Sequence, residues 1–262
     1  MANAWDHLLG RKASRRLQKT ILPHLQWNQK IWGETIRSYG KTTARWLDAG
    51  CGWRLLGKDL EPLENELVNL PRVTVGVDLD FPHLQKHVNI SRRICASINS
   101  LPFPSESFDL VTSNMVAEHL AHPETTFQEF ARVLAPGGTL MIHTPNTRNY
   151  LVFANILAKK ILPRSVILKL VRDGRPDDDV YPTYYRANDE QTLRNLGAGV
   201  QLQPESVRFL IQPQPLSRFF APVAFFELLL MRALMMPSVN RFGTTIVIVF
   251  RKPPAQSAAL VA

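Results

Sequence analysis

From residue 44 onward, short apolar runs alternate with amphipathic stretches. The apolar runs predict strands over about 44–48, 73–78, 93–97, 108–112 and 139–143. Between them, a Glu- and Leu-rich stretch near 56–68 predicts a helix, and a short helix is expected after Pro82. The clearest helix is expected at 123–134, where Phe127, Phe130, Ala131 and Leu134 recur at i, i+3, i+4 and i+7. Pro123 and Glu124 suit its first turn, and Pro136-Gly-Gly138 is expected to end it. Alternation of strand and helix with short apolar strands implies a parallel sheet covered on both faces. Upstream, residues 5–39 read as one or two helices, with Leu17, Ile21 and Leu25 on one face.

After residue 146 the pattern changes. Residues 150–172 mix apolar side chains with Lys159, Lys160, Arg164, Lys169 and Arg172. A helix over 188–197 with Asn188 as its N-cap, a strand over 206–211 and a final strand over 244–250 follow. Residues 216–236 form a long apolar helical run, interrupted by Arg218, Glu227 and Arg232 and kinked at Pro222. That run has too many charges for a bilayer span and reads as a core, dimer-forming or interfacial helix. The tail from 253 to 262 is expected to be disordered.

Length and charge narrow the picture. The 262 residues suit one large α/β domain or a smaller one with extensions. Net charge is +9, unevenly spread: +7 over residues 1–46, −5 over 47–145 and +7 over 146–262. Basic flanks fit phosphates, anionic lipid head groups or a merely solvated surface. The two cysteines, Cys51 and Cys95, argue against a disulfide scaffold or a zinc cluster, and Cys51 reads as a small buried residue. No signal peptide is read at the N-terminus, so a cytoplasmic location is the expectation.

The candidate chemistry starts at Leu47-Asp48-Ala-Gly50-Cys-Gly52. A strand runs into an acid and then into two glycines one residue apart, which lets the backbone turn sharply and pass close to a ligand. A second acid, Asp78, ends the next strand, where an open α/β sheet holds a ribose diol.

Four features together resemble a class I S-adenosylmethionine-dependent methyltransferase of the broad small-molecule type. They are Asp48-Ala-Gly50-Cys-Gly52, Val77-Asp78, Leu101-Pro-Phe-Pro with Phe108-Asp-Leu-Val111, and Glu118-His119 followed by Arg132-Val-Leu-Ala-Pro-Gly-Gly138. The resemblance implies a Rossmann-like, doubly wound, mostly parallel seven-stranded sheet with its last strand antiparallel. N-terminal helices and a helical insertion after strand 5 complete that fold. It divides the chain into a basic helical extension over 1–43, a methyltransferase domain over 44–252 and the tail. Within the domain, 146–187 and 212–240 are cap or interface insertions.

The implied cofactor is S-adenosylmethionine. Its methionine end and ribose lie against the Gly50–Gly52 turn, with the following helix directing N–H groups at the carboxylate. Asp48 acts through turn hydrogen bonds and favours the ammonium; Asp78 accepts both ribose hydroxyls. Ser97 falls where an adenine-binding acid is usual, with Ile98 against the ring, and Asn114 and Met115 lie beside the sulfonium. The third glycine of the turn is replaced by Arg54. His119 is the candidate base and His143 a weaker second one. The first acid of a Glu-x-x-Glu-His metal motif is Met115 here, so no metal is expected.

Tyr181, Tyr184, Tyr185 and Arg186 are candidates for an acceptor pocket. The acceptor is read as a small or lipid-linked molecule, methylated at oxygen or less often at nitrogen or carbon. The basic-apolar segments dock the enzyme at an anionic membrane surface in that reading; a homodimer is the other use of the same segments. An RNA methyltransferase stays open because of the basic flanks. Against it, Ser113-Asn-Met-Val-Ala117 is not the Asn/Asp-Pro-Pro-aromatic loop of base methylases. A binding or assembly subunit without catalysis also stays open. A dinucleotide dehydrogenase is disfavoured by the missing third glycine.

Overall fold

In the computed structural model, the described residues are 18–150, 152, 153, 156, 157, 181–212 and 221–255. Seven strands form one sheet in the order β3-β2-β1-β4-β5-β7-β6. They are β1 (Arg45–Ala49), β2 (Val73–Asp78), β3 (Arg92–Cys95), β4 (Phe108–Asn114), β5 (Leu134–Pro145), β6 (Gln203–Leu210) and β7 (Thr245–Arg251). Neighbouring strands from β3 through β5 pair in parallel, and β7 runs antiparallel to both β5 and β6.

Period-two alternation gives the sheet two apolar faces. On one face Leu47, Val75, Val111, Leu140 and Ile248 pack with Phe127, Phe130 and Leu193. Those side chains come from α4 (Pro123–Val133) and α5 (Glu190–Gly199). On the other face Trp46, Leu110, Met141 and Val249 pack with Trp32, Ile36 and Leu67, from α1 (Asn28–Gly40) and α2 (Glu61–Asn69). Helix α1 is therefore part of the core: Trp32 and Ile36 are almost fully buried. Two further helices are the short α3 (Phe81–Lys86), after β2, and α6 (Ala221–Leu234), between β6 and β7, which packs in a cluster of its own with Leu22 and Ile211.

Several element boundaries differ from expectation for local reasons. Pro136-Gly-Gly138 does not end α4. The backbone is already extended at Leu134 (φ −71°, ψ 132°) and β5 starts there. Gly137 takes φ +75° and the β4–β5 register slips between Phe108 and Leu110, so the glycines form an irregular stretch within β5. Helix α5 is capped by Asp189, whose side chain accepts from the Thr192 N–H, and not by Asn188. Asn188 is fully buried and bonds the end of β5 instead. Helix α3 starts one residue before Pro82, because Asp80 caps it by accepting from the His83 N–H. Helix α2 opens at Glu61, after a 3₁₀ turn at Lys58–Leu60, and not directly after the glycine turn. The readings for 1–17, for most of 150–180, for 213–220 and for the tail from 256 fall outside the described residues.

This topology positions the site. From β1 the chain winds through β2 to β3 on one side, then crosses to β4 on the other. The crevice beyond the carboxyl ends of β1 and β4 is where such sheets take ligands.

Candidate active site

The turn after β1 is built as its glycines demand. Gly50 and Gly52 sit at φ +79° and +53°, a region costly for residues with a Cβ. A Cβ on Gly50 would stand 2.4 Å from Val116 Cγ2, so this glycine also lets the loop after β4 close on the turn. A Cβ on Gly52 would meet nothing within 4 Å, which leaves an open cradle above the backbone. The Gly50 and Cys51 N–H groups both donate to the Val77 carbonyl, at 2.8 and 3.0 Å.

Asp78 sits at the tip of β2 and its carboxylate ties the cradle together. One oxygen accepts from the Gly52 N–H (2.8 Å) and the other from the Asp80 N–H (2.9 Å). A carboxylate has about four acceptor positions, so two remain for further donors.

Asp48 is 2% exposed. The β1–β4 register sets it opposite Thr112, whose hydroxyl donates to Asp48 Oδ1 at 2.7 Å and itself accepts from Trp46 Nε1 at 2.8 Å. The expected bonds from the turn to Asp48 are not formed, because those N–H groups go to Val77. Burial, with smaller help from the nearby Asp78 and Glu64 charges, pushes the Asp48 carboxyl up to about 7. Cys51 is buried with Leu84 and Ile90, and burial pushes its thiol up as well.

Arg54, in place of a third glycine, folds down against Glu64, with Nε 3.0 Å from Oε2 in an ion pair that lacks hydrogen-bond geometry. Glu64 is fully buried and also accepts from the Leu55 N–H at 2.8 Å. The first turn of α2 thus carries its own carboxylate where an incoming anion was expected. A second contact links Arg54 to Glu61 at 3.3 Å.

At the end of β4, Met115 takes φ +57° and is 37% exposed; such a backbone in a bulky residue is a mark of functional loops. Asn114 is fixed from three sides. Its Nδ2 donates to Gln29 Oε1 (3.0 Å) and to the Leu55 carbonyl (3.2 Å), and its Oδ1 lies 2.8 Å from His143 Nδ1. His143 Nε2 is 2.9 Å from Thr245 Oγ1, which accepts from Asn28 Nδ2 at 2.9 Å. These partners require His143 to donate from Nδ1 and accept at Nε2. Burial depresses its pKa to about 3, and its ring stacks on Trp32. His143 is therefore a neutral structural link. Gln29, Trp53, Arg54, Lys58, Asn114 and Met115 are among the residues lining a cleft of about 410 Å3.

The segment 181–188 straps across the same edge. The Tyr181 hydroxyl donates to Asp80, two residues beyond Asp78, and touches His83. The hydrogen bond from Tyr181 holds the Asp80 carboxyl below its usual range. His119 Nδ1 lies 2.7 Å from the Pro182 carbonyl, and its ring meets Tyr181 edge-on. A carbonyl only accepts, so His119 carries its proton on Nδ1 and presents Nε2 as an acceptor when neutral.

The Tyr184 and Tyr185 N–H groups donate to the Glu118 carbonyl at 2.8 and 3.2 Å, Tyr185 with φ +53°. Glu118 is buried and accepts from Thr144, and burial raises its pKa. Arg186 donates to the Ala121 carbonyl at 2.6 Å and lies over the Tyr184 ring. Ser97 Oγ accepts from the Asn99 N–H, and Ile98 packs against the core. No group of three or more metal-ligating side chains gathers among the described residues.

The strap separates the four candidate acceptor residues: Tyr181 stands at the β2 end and Arg186 at the β4 end. Gln29, Thr112, Asp80 and Thr245 escaped the sequence reading. Thr112 could have been found from the β1–β4 register opposite Asp48. Gln29 gave no signal, because nothing in the sequence says where α1 returns to the sheet.

A family described as "Methyltransferase domain" matches residues 47–142. The ubiquinone biosynthesis O-methyltransferase of Colwellia psychrerythraea is 29% identical over 139 residues, covering 52% of this chain and 53% of that protein. The mitochondrial ubiquinone biosynthesis O-methyltransferase of Mus musculus is 33% identical over 104 residues, 38% of this chain and 28% of that protein. The chain thus spans about half the length, or less, of these relatives. Among solved structures, a putative methyltransferase from Bacillus halodurans superposes with a TM-score of 0.56 at 17% identity, covering 84% of this chain and 98% of that one. A SAM-dependent methyltransferase from Archaeoglobus fulgidus superposes at 0.52 and 14% identity, covering 90% and 97%. The glycine turn with Asp48 and Asp78, the 3-2-1-4-5-7-6 sheet and the matched region agree: residues 47–142 carry a methyltransferase domain, within a fold shared with S-adenosylmethionine-dependent methyltransferases.

Proposed function

We propose that this chain methylates a hydroxyl oxygen of a small acceptor, one that is free or carries a lipid tail. The observation that carries the reading is the cradle between Gly52 and Asp78. It joins an open backbone surface to a carboxylate with acceptor positions to spare, at the switch point of the sheet. S-adenosylmethionine fits these groups and supplies, when bound, a methyl carbon activated by positive sulfur.

Each residue then has a task. Asp78 accepts the ribose hydroxyls. Asp48, ionised by a cation brought beside it, favours the ammonium. Ser97 and Ile98 flank the adenine, and Asn114 and Met115 border the reacting centre. His143, through Asn114, keeps that border rigid. His119 Nε2 takes the acceptor's hydroxyl proton while Pro182 holds the ring. Alignment and exclusion of water supply most of the remaining rate. Tyr184, Tyr185 and Arg186 form the acceptor wall, with Arg186 available to an anionic group.

Support for oxygen as the methylated atom comes from the names of the relatives, ubiquinone biosynthesis O-methyltransferases. Nothing among the described residues favours the RNA, the assembly-subunit or the homodimer reading over this one. The test is demethylated-cofactor release with a panel of phenols, carboxylates and amines. Turnover on phenols that falls about 100-fold in His119→Ala, with cofactor affinity kept, is expected. Turnover on amines alone would overturn the oxygen reading.

A further inference from the structure

Helix α6 is apolar on both sides. Its inner side, Leu228, Met231 and Leu234, is buried against Leu22 and Ile211. Its outer side holds Phe225, Phe226, Leu229 and Leu230, which are 40–69% exposed. At 100° per residue these outer positions, with Ala233, fall on one continuous arc. A contiguous exposed apolar face on a folded domain marks a binding surface.

Topology fixes where the face lies. Strand β6 runs alongside β5, with β7 between them and antiparallel to both. The connection from Leu210 to Thr245, which contains α6, therefore emerges at the same edge of the sheet as the cleft. Further exposed apolar side chains follow or precede residues anchored at that edge. Phe153 and Leu157, one helical turn apart, are 61% and 45% exposed. They follow Asn149, which bonds the Phe242 carbonyl beneath α6. Trp27, 62% exposed, precedes Asn28, which bonds Thr245 at that edge.

Charge decides the occupant. Arg232 sits at the margin of the outer arc, Arg241 stands on the 3₁₀ turn packed against α6, and Arg148 on the segment hydrogen-bonded to that turn. None of the three pairs with a carboxylate among the described residues. The chain from 146 to 262 carries a net +7. An apolar helix face rimmed by arginines with no carboxylate partner among the described residues matches an anionic lipid surface, where side chains enter the acyl boundary and arginines meet head-group phosphates. At 14 residues α6 is about 21 Å long, short of the roughly 20 residues a crossing needs. No helix of the described residues is long and apolar enough to cross a membrane.

We propose that the outer face of α6, with Phe153, Leu157 and Trp27 at the same edge, docks on an anionic bilayer and turns the cleft edge toward the lipid. The idea goes beyond methyl transfer, and its assay contains no cofactor, so either reading can fail alone. Full-length protein is sedimented with vesicles of phosphatidylcholine, with and without phosphatidylglycerol. Binding to the anionic vesicles is expected, weakening steeply with salt. Phe226→Ser with Leu230→Ser should weaken it more than about tenfold with an unchanged melting curve. Arg232→Gln with Arg241→Gln should remove much of the salt dependence. No binding to anionic vesicles at low salt, or equal binding by the serine variant, would overturn the proposal. So would a concentration-dependent dimer that the serine variant abolishes and vesicles do not compete away; that face would then belong to a second copy of the chain.

Discussion

His143 Nδ1 lies 2.8 Å from Asn114 Oδ1, one rung of the β4–β5 ladder at the floor of the cleft. The histidine has donors and acceptors matched on both nitrogens, is 1% exposed, and has its pKa depressed by burial to about 3. An unfolded histidine titrates near 6.5. Between these values the unfolded chain binds the extra proton, so stability is present above pH 6.5 and is lost as pH falls toward 3. His87, depressed to about 4 by burial, acts in the same direction. At pH 5 the His143 share is about 2 kcal/mol. Urea unfolding of His143→Gln should therefore show a smaller midpoint difference between pH 7 and pH 5 than the parent chain.

Asp48 has the opposite sign. Its folded pKa, raised to about 7 by burial, lies above the unfolded carboxylate value, so its burial costs stability increasingly as pH rises from about 4 to 7. The ionised form is the one that favours an ammonium. Cofactor affinity should rise up to about tenfold between pH 6 and 8, with proton release on binding. Asp48→Asn should flatten that rise, weaken binding, and stabilise the free protein at pH 8 by up to about 4 kcal/mol. Calorimetry in buffers of different ionisation enthalpy, with thermal melts, reads all three.

Arg54 and Glu64 form a pair buried to 9% and 0% exposure. Removing one partner of such a pair costs about 3 kcal/mol, because the other charge is stranded. Arg54→Gly restores the family glycine, yet it should destabilise the chain by about that amount. Adding Glu64→Gln should recover most of the loss. A double variant no more stable than Arg54→Gly would show that the pair does not set the loop.

Tyr181 closes the strap by donating to Asp80. Tyr181→Phe should leave the melting temperature unchanged and raise the cofactor dissociation rate about fivefold, an effect of one lost charge-assisted bond. Stopped-flow release of the bound nucleoside measures it.

Much of this site could be read in the chain before any coordinates. The Asp48-to-Gly52 turn and Asp78 were legible because a sharp strand-exit turn needs specific backbone angles, and only certain residues allow them. The seven-stranded sheet with its last strand antiparallel followed from the resemblance, and the first five strands also from period and spacing. Asn188 misled because a buried asparagine that bonds Thr144 looks, in sequence, like a cap one position early. Pro136-Gly-Gly138 misled because glycines that end helices also allow irregular strands. Gln29 and the Asn28–Thr245 bond were invisible, since they join positions far apart in sequence through packing of α1 on the sheet.

The central claim is that Asp78 grips the ribose beside Gly52. Calorimetric titration of S-adenosylmethionine into Asp78→Ala and Asp78→Asn, with circular dichroism to verify the fold, tests it most directly. Affinity at least about thirtyfold weaker is expected in Asp78→Ala, with a smaller loss in Asp78→Asn. Wild-type affinity in a folded Asp78→Ala protein would contradict it.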